Sequence, residues 1–325
     1  MVEKIPVGIV DYDNSQLSKT IVRYSNSSPL LDVHNFANED QAKQAIWYGD
    51  IAGYLLIPSQ LEQNVYAGKS AEVSILGNGG YFLLNKYVQT GFMQAVGTVS
   101  AGVETQAVPL RIDPLFNHAQ GYAAYVVPGV SMLVLQQTLL MGITLLLGSW
   151  VERRQHFASV TGWLGRITAF SLINFILGCF YYGWVFDSQG YARGHSMGAT
   201  LLFFALYAPT VAVLGCVLGM WFRQRERGLQ ILIFSSVPFF FVSGYPWPVS
   251  QLPETLQYVR WLIPSTSGVH ASVQLNQMGA SLAQVSGYLY HLMALLVGFF
   301  LLLMAMQRWQ QRQQSRREAS INGDN

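Results

Sequence analysis

From Tyr122 to the end of the chain, long apolar segments follow one another with short polar connections between them. A helix needs about 20 predominantly apolar residues to cross a bilayer, and five segments approach or reach that length. We predict membrane spans at 122–148, 162–185, 197–222, 229–244 and 284–306. The composition agrees, since 51% of the residues are hydrophobic and 11% are charged, whereas soluble domains carry about 25% charged residues. The sequence therefore predicts an α-helical polytopic membrane protein.

The first 118 residues are different, because strand and helix patterns alternate there. The strand-like segments are PVGIVDY, LLDVHNFA, IAGYLLIP and AEVSILG, and helices are predicted from Ser15, Glu39 and Ser59 and over 81–104. Asn14, Ser15 and Asn38 are typical helix N-caps, and Gly49 and Gly68 are typical helix ends. This pattern predicts an N-terminal α/β domain over 1–118, followed by a transmembrane domain over 119–308 and a basic tail over 309–325.

Basic residues in the short connections predict the orientation, because they are retained on the cytoplasmic side. Three segments are basic: one connection contains Arg153 and Arg154, a second contains Arg223, Arg225 and Arg227, and the C-terminal segment contains Arg308, Arg312, Arg316 and Arg317. These alternate with two base-poor connections, which contain Arg193 and Arg260. The C-terminus is therefore predicted to be cytoplasmic and the α/β domain extracytoplasmic. Since no signal or membrane helix precedes that domain in this sequence, we expect that a further N-terminal membrane helix belongs to the protein.

The apolar run that ends near 244 breaks at Pro246-Trp247-Pro248. Beyond the break, Leu252, Leu256, Val259 and Ile263 recur at helical spacing, with polar residues between them. This helix is too short to span a bilayer, and its aromatic residues favour the membrane interface. We predict a re-entrant or interfacial helix over about 246–264; the alternative is an ordinary external loop with an interfacial helix.

Three segments resemble the permease subunit of type-2 ABC exporters, in the drug-exporter-like branch. They are FFFVSGYPWPVSQLPETLQYV, YVVPGVSMLVLQQTLLMGITLLLG and VGIVDYDNSQLSKTIVRY. The resemblance implies a multi-pass protein of the bacterial inner membrane that exports amphipathic or hydrophobic compounds. It implies an ABC ATPase subunit, a second permease subunit in a homodimer or heterodimer, and a periplasmic adaptor protein as partners. Members of this family normally begin with a cytoplasmic amphipathic helix and a first membrane span, which this sequence lacks.

The resemblance also implies roles for individual residues. The predicted ATPase-coupling residues lie in two cytoplasmic loops and are Glu152, Arg153, Arg154, Arg225, Glu226 and Arg227. Their charges also serve as orientation signals, which is the alternative interpretation. The predicted gate residues of the re-entrant segment are Gly244, Pro246, Trp247, Pro248, Leu252 and Pro253. Gln136, Gln137 and Asn174 are intramembrane polar residues and candidates for the translocation path. For Gln136 and Gln137, together with Thr138, the alternative is hydrogen bonding between helices.

No catalytic or metal-binding residues are predicted. Gly68-Lys69-Ser70 matches the last three positions of the phosphate-loop motif, but the motif also requires a glycine at position 63, where this chain has Gln63. The motif is therefore incomplete. We therefore expect this chain to bind no cofactor, and ATP with Mg²⁺ to bind to the partner ATPase. A net charge of +2 gives no reason to expect a nucleic-acid partner. The competing functional hypothesis is a membrane-anchored sensor or assembly factor, whose external domain would bind a ligand or partner.

Overall fold

The computed structural model describes residues 4–69, 71–101, 108–115, 122–153, 155–194, 196–246, 249 and 252–323. The chain divides into two compact units. The first unit contains Met1–Val126 and Tyr245–Pro253, and the second contains Val127–Gly244 and Glu254–Asn325. Each unit has its own architecture and is described in turn.

The first unit contains a five-stranded mixed sheet. Its strands are β1 Ile5–Asp11, β2 Leu31–Phe36, β3 Gly53–Ile57, β4 Val73–Asn78 and β5 Leu110–Leu115. They lie in the order β2-β1-β3-β4-β5. β1 runs parallel to both β2 and β3, β3 runs antiparallel to β4, and β4 runs parallel to β5. The first four strands confirm the sequence prediction.

The fifth strand was not predicted from the sequence. β5 contains Arg111, Asp113 and Pro114, which are unfavourable in a central strand. The structure resolves the conflict, because β5 lies at the edge of the sheet and, among the described residues, pairs with β4 alone. Charged residues and proline are tolerated at such an edge, since one side of the strand needs no ladder partner.

The first two helices of the first unit begin at the predicted capping residues, whereas the third begins at Leu61, with Gln60 rather than Ser59 before it. The helices of this unit are α1 Gln16–Asn26, α2 Glu39–Tyr48, α3 Leu61–Tyr66 and α4 Phe82–Ala101. The Ser15 side chain accepts a hydrogen bond from the Ser18 N–H at 3.1 Å, and Asn38 accepts one from the Gln41 N–H at 2.9 Å. Gly49 ends α2 in the left-handed conformation at φ 80°, which glycine adopts without strain.

The main core of this unit lies between the sheet and helices α1, α3 and α4. Val7 and Ile9 of β1 belong to one buried cluster with Ile21 of α1 and Phe92 of α4. Each such buried side chain contributes about 1.5–3 kcal/mol of transfer free energy. α2 contacts the central strands β1 and β3. Both faces of β1 are therefore covered, which agrees with its nearly continuous apolar sequence.

The second unit is helical. Its helices are α5 Tyr122–Glu152, which begins in the first unit, α6 Val160–Cys179, α7 Phe186–Ser188, α8 Met197–Phe222, α9 Arg225–Val242, α10 Glu254–Val259, α11 Pro264–Asn276 and α12 Ser286–Gly323. A π-helical turn, Phe180–Val185, joins α6 to α7. Within the described residues, four segments are long and apolar enough to cross a membrane: Val126–Glu152, Val160–Ser188, Met197–Phe222 and Ser286–Arg316. They correspond to the predicted first, second, third and fifth spans.

The predicted fourth span corresponds to α9, which is not among those four segments. α9 has 18 residues, and its first three are Arg225, Glu226 and Arg227. The remaining apolar part is about 22 Å long, which is shorter than the bilayer core of about 30 Å. The fourth span therefore stays a prediction, and so does the total of five.

α8 is the central helix of the second unit. In α8, 61% of the apolar window is buried, whereas the figure for α12 is 11%. Gly215 and Gly219 allow α5 to approach closely, because a Cβ at these positions would lie 3.0 Å from Ile143 and 2.7 Å from Leu147. Small residues at such contacts are typical of helix packing in membranes, where van der Waals contact replaces the hydrophobic effect.

The predicted helix over 246–264 is only part of what the structure contains there. α10 and the following 3₁₀ turn, Arg260–Leu262, contain no buried residue. α11 follows directly, and all 13 of its residues are buried. Sequence reasoning did not predict α11, because PSTSGVHASVQLN is rich in Ser, Thr and Gly and is typical of a loop. Pro264 at the first helical turn was the available signal. Whether either helix is re-entrant stays a prediction.

Candidate functional site

The two predicted coupling loops meet at one end of the second unit. The guanidinium of Arg225, at the start of α9, lies 3.9 Å from the Glu152 carboxylate at the end of α5. The neighbouring residues in the two loops, Arg153, Glu226 and Arg227, are also exposed to solvent. Arg154 lies outside the described residues. We call this the basic end of the second unit, defined by the residues 152–159, 222–228 and 307–316.

A glycine brings these two loops together. A Cβ at Gly148 would lie 2.6 Å from the backbone nitrogen of Arg225 and 2.7 Å from its Cα. One turn of α5 is therefore in backbone contact with the first turn of α9. Glu152 lies one turn further along α5, which explains how two charges so far apart in sequence become neighbours.

The first of these loops is held by an arginine from α6. Arg166 donates a hydrogen bond to the His156 carbonyl at 2.8 Å and one to the Gln155 carbonyl at 3.4 Å. Its guanidinium lies 4.4 Å from the ring of Trp150 and 4.9 Å from that of Trp163, within the range of cation–π attraction. The loop backbone is thus tied to the start of α6.

Burial sets the charge state of the histidine in this loop. His156 is 8% exposed, and this burial lowers the pKa of its imidazole. The positive charges of Arg223 and Arg166 lower that pKa further. The imidazole is therefore neutral at pH 7, and the cations of the basic end are its arginines.

The opposite end of the second unit contains a buried polar seam around α11. Seven α11 side chains are polar and buried: Ser265, Thr266, Ser267, His270, Ser272, Gln274 and Asn276. Gln136 of α5 donates to the Ser265 hydroxyl at 3.1 Å and accepts from the Ser265 backbone N–H at 2.8 Å. Gln136 therefore bonds across helices, as its alternative interpretation proposed, and satisfies a helix N-terminal N–H that would otherwise lack a partner.

A tyrosine from the π-helical turn joins the same seam. The Tyr182 hydroxyl donates to the Pro128 carbonyl at 3.0 Å and accepts from the hydroxyls of Ser131 at 3.2 Å and Ser272 at 2.7 Å. These partners belong to α5 and α11, so one hydroxyl connects three elements. Short π-helical segments inside α-helices often occur at functional sites.

Two histidines form polar contacts between α11 and two other helices, α9 and α12. The His270 Nε2 lies 3.0 Å from the carbonyl oxygen of Ser243, at the end of α9. The His291 Nδ1 of α12 lies 2.8 Å from the Ser267 hydroxyl. The structure thus connects α11 to α5, α9 and α12 through polar contacts.

Two of the predicted path residues lack such partners. Gln137 is 5% exposed, and neither its Oε1 nor its Nε2 makes a hydrogen bond to a described residue. Asn174 of α6 is 2% exposed, and its Oδ1 is equally without a partner among the described residues. A buried amide without a partner costs free energy, so these side chains are candidates for binding water or cargo. Their role in a path stays a prediction.

The predicted gate residues are distributed over both units. Gly244 lies two residues after the end of α9, in the left-handed conformation at φ 79°, and belongs to the second unit. Pro246, Leu252 and Pro253 belong to the first unit. Trp247 and Pro248 lie outside the described residues. The gate role of this segment stays a prediction.

The carboxylates near the N-terminus have structural partners. Asp11 accepts from the backbone N–H groups of Asp13 and Asn14, at 3.0 and 3.1 Å. Asp13 accepts from the Glu62 N–H at the start of α3, at 3.2 Å. Both carboxylates therefore serve local turn and helix-cap structure. Among the described residues, no group of three or more His, Cys, Asp or Glu side chains is arranged to hold a metal ion.

A comparison with protein-family profiles identifies one family. The sequence profile of the family described as "ABC-2 family transporter protein" matches residues 1–306. A crystal structure of a domain of an ABC type-2 transporter from Thermotoga maritima MSB8 is also similar, with 14% identity and a TM-score of 0.29. That similarity covers 34% of this chain and 83% of the other. No curated protein matches the sequence.

Proposed function

The chain belongs to the ABC-2 transporter family and is a membrane component of an ABC transporter, and from this premise we propose that it is the permease subunit of an ATP-driven exporter. Two such subunits, identical or related, form a translocation path between them. Partner ATPase subunits bind and hydrolyse ATP, and the path alternates its access as they do so. The cargo is amphipathic or hydrophobic, because the spans carry many aromatic and aliphatic side chains and few charges.

The observation that carries this proposal is the meeting of the two charged loops. Glu152 and Arg225 come from different connections, and their side chains lie 3.9 Å apart. A simple membrane anchor does not require its charged connections to form one surface, whereas a subunit that receives force from an ATPase does. The family membership implies such an ATPase partner.

The same surface supports a proposal for the orientation. Arg153, Arg223, Arg225 and Arg227 lie at the basic end, and arginines in short connections are retained in the cytoplasm. We therefore assign the basic end to the cytoplasm and the first unit, with its α/β sheet, to the periplasm of a bacterial inner membrane. The α11 seam then lies in the outer half of the bilayer.

Co-purification with an ATPase subunit tests the proposal. The tagged protein is isolated from its host in mild detergent, and an ATPase subunit is sought in the eluate by mass spectrometry. The double variant Glu152→Ala/Arg153→Ala should lose most of that ATPase. Asp187→Ala/Arg193→Ala is the matched control, because it removes an exposed acid–base pair from the other end of the unit. Absence of any ATPase with the wild-type protein would favour the sensor or assembly-factor hypothesis.

A further inference from the structure

A single glutamine connects the first coupling loop to the last helix. Gln307 of α12 is 9% exposed. Its Oε1 accepts hydrogen bonds from the indole N–H of Trp163 and from the Ala158 N–H, the latter at 3.2 Å. Its Nε2 donates to the Ala158 carbonyl at 2.9 Å. The side-chain amide of Gln307 therefore binds both polar groups of one loop residue.

The chemistry of these contacts requires an amide. The Oε1 of glutamine has two lone pairs, and both are used, while its NH₂ supplies the donor that the Ala158 carbonyl needs. Glutamate has the same length, but an ionised carboxylate only accepts, so it would place a negative oxygen against that carbonyl. Methionine has a similar length and volume and forms none of the three bonds at comparable strength.

Gln307 lies beside a gap between this loop and α12. A groove of about 490 Å³ lies between Phe157, Val160, Met304 and Arg308, so loop and helix are not closely packed along this side. Arg166 ties the same loop to α6 through the carbonyls of Gln155 and His156. The Gln307 hydrogen bonds are therefore a direct link between the backbone of this loop and α12, beside a contact between His156 and Gln310.

Helix α12 reaches well beyond the apolar segment. It has 38 residues, which corresponds to a length of about 57 Å, nearly twice the bilayer core. Leu303, Gln307 and Gln310 are buried one turn apart along it, so its packed face continues into the basic end. Gln310 donates to the carbonyl of Met220 at the end of α8, at 3.1 Å. The start of the polar part of α12 is thus fixed to both the loop and α8.

We infer that Gln307 is a positioning residue that makes the loop at 155–159 move together with α12. Force applied to this loop by an ATPase then reaches the last membrane helix directly, as well as α6. This inference rests on the proposed function for the source of the force. The connection itself is a property of this chain and is testable without a partner.

The first experiment measures the connection in the full-length protein alone, reconstituted in lipid nanodiscs. Hydrogen exchange is followed for the peptide that covers 155–159 in the wild type, Gln307→Met and Gln313→Met. Gln313 is the matched control, since it is an exposed glutamine on the same helix. Gln307→Met should accelerate exchange of the Ala158 amide by about tenfold or more, because the amide loses its acceptor. Wild-type protection of the loop in Gln307→Met would overturn the inference.

The second experiment measures transmission in the complex with the co-purified ATPase. Both native cysteines, Cys179 and Cys216, are replaced, and an environment-sensitive fluorophore is attached at Tyr290→Cys, an exposed site near the other end of α12. ATP with vanadate should change the emission in the parent protein and in Gln313→Met. In Gln307→Met the ATPase should still bind, but the emission change should fall by about tenfold. Gln307→Glu should show a comparable defect, because it retains the length but loses the donor.

The two outcomes separate the inference from the proposed function. If no ATPase binds the wild-type protein, the proposed function fails, and the exchange experiment still decides whether Gln307 holds the loop. If the ATPase binds and Gln307→Met transmits the ATP signal as the parent does, the inference is wrong while the permease function stands.

Discussion

Gln136 and Ser265 exchange two hydrogen bonds although they lie 129 residues apart. The side-chain amide of Gln136 in α5 matches both the hydroxyl and the backbone N–H of Ser265, at 3.1 and 2.8 Å. Because all of α11 is buried, water cannot replace a lost partner at its N-terminus without rearrangement. This pair therefore anchors a helix that is too polar to hold its place by apolar contact alone.

Replacement of that amide should destabilise the second unit. Gln136→Leu removes both bonds and leaves the Ser265 N–H buried without an acceptor, which should cost about 1–2 kcal/mol. The free energy of unfolding is measured by denaturant titration in detergent micelles. Gln137→Leu is the control, because the neighbouring amide is equally buried but has no partner among the described residues.

The control has its own expected result. Since Gln137 already bears the cost of burial, Gln137→Leu should leave the unfolding free energy unchanged or raise it by up to about 1 kcal/mol. Equal destabilisation by the two substitutions would contradict the assignment of Gln136 as the anchor. A loss of transport with Gln137→Leu, without a loss of stability, would instead support its place in the translocation path.

The Tyr182 hydroxyl should be similarly important for the seam. Tyr182→Phe removes a donor to the Pro128 carbonyl and the acceptor of the Ser272 hydroxyl, and should lower the unfolding free energy by about 1–3 kcal/mol. Tyr181→Phe, at the adjacent and less buried position, should change it by less than about 0.5 kcal/mol. Thermal unfolding of both variants in the same detergent provides the comparison, and equal melting temperatures would refute the prediction.

Acid should weaken the first unit through Glu39. A hydrogen bond with Lys43 lowers the pKa of this carboxyl, and a hydrogen bond from the Tyr54 hydroxyl at 2.9 Å lowers it further, while burial opposes both. A lowered folded-state pKa means that the unfolded chain binds the proton more tightly. The stabilisation is therefore complete above the unfolded value, near 4.5, and is lost as the pH falls through the lower folded value.

The measurement is hydrogen exchange of α2 and β3 in the full-length protein, from about pH 6 to about pH 3, corrected for intrinsic rates. Glu39→Gln should reduce the acid-dependent loss of protection in this window. Glu72→Gln, an exposed substitution in the same unit, is the matched control. An unchanged pH profile in Glu39→Gln would show that other carboxyls dominate the acid response.

Sequence patterns predicted the features that depend on residues close to one another in the chain. The N-caps at Ser15 and Asn38 act on N–H groups only three residues away, so residue type and spacing predict them. The length and polarity of the apolar segments are also local properties, and four of the predicted spans have matching helices. These features follow from the hydrogen-bonding needs of helix ends and from the bilayer thickness.

Residue pairings distant in the sequence could not be predicted in this way. Ser265 lies in a segment with the composition of a loop, and its stability as a helix depends on Gln136 and on burial among several helices. Glu152 and Arg225 could be recognised as charged loop residues, but not as neighbours. Gln307 directly follows the predicted last span, and only the structure places it against Ala158. In each case the partner comes from a different helix or loop, and no local pattern identifies it.

The contact between α5 and α9 gives a last test, at Gly148. A Cβ there would lie 2.6 Å from the Arg225 nitrogen and 2.7 Å from its Cα. The atoms that an added Cβ would clash with belong to the Arg225 backbone, which cannot change rotamer as a side chain could. Gly148→Ala must therefore force α5 and α9 apart. The expected cost is about 1–3 kcal/mol in the unfolding free energy.

Gly142→Ala separates this steric effect from helix propensity. An added Cβ at Gly142 has no neighbour within 4 Å, and alanine favours a helix over glycine by about 1 kcal/mol. Gly142→Ala should therefore be neutral or stabilising, whereas Gly148→Ala should destabilise. If the two loops act together on the ATPase, Gly148→Ala should also reduce ATPase co-purification, although it removes no charge. Retention of the ATPase by a folded but destabilised Gly148→Ala protein would mean that close contact between the two loops is not required for ATPase binding.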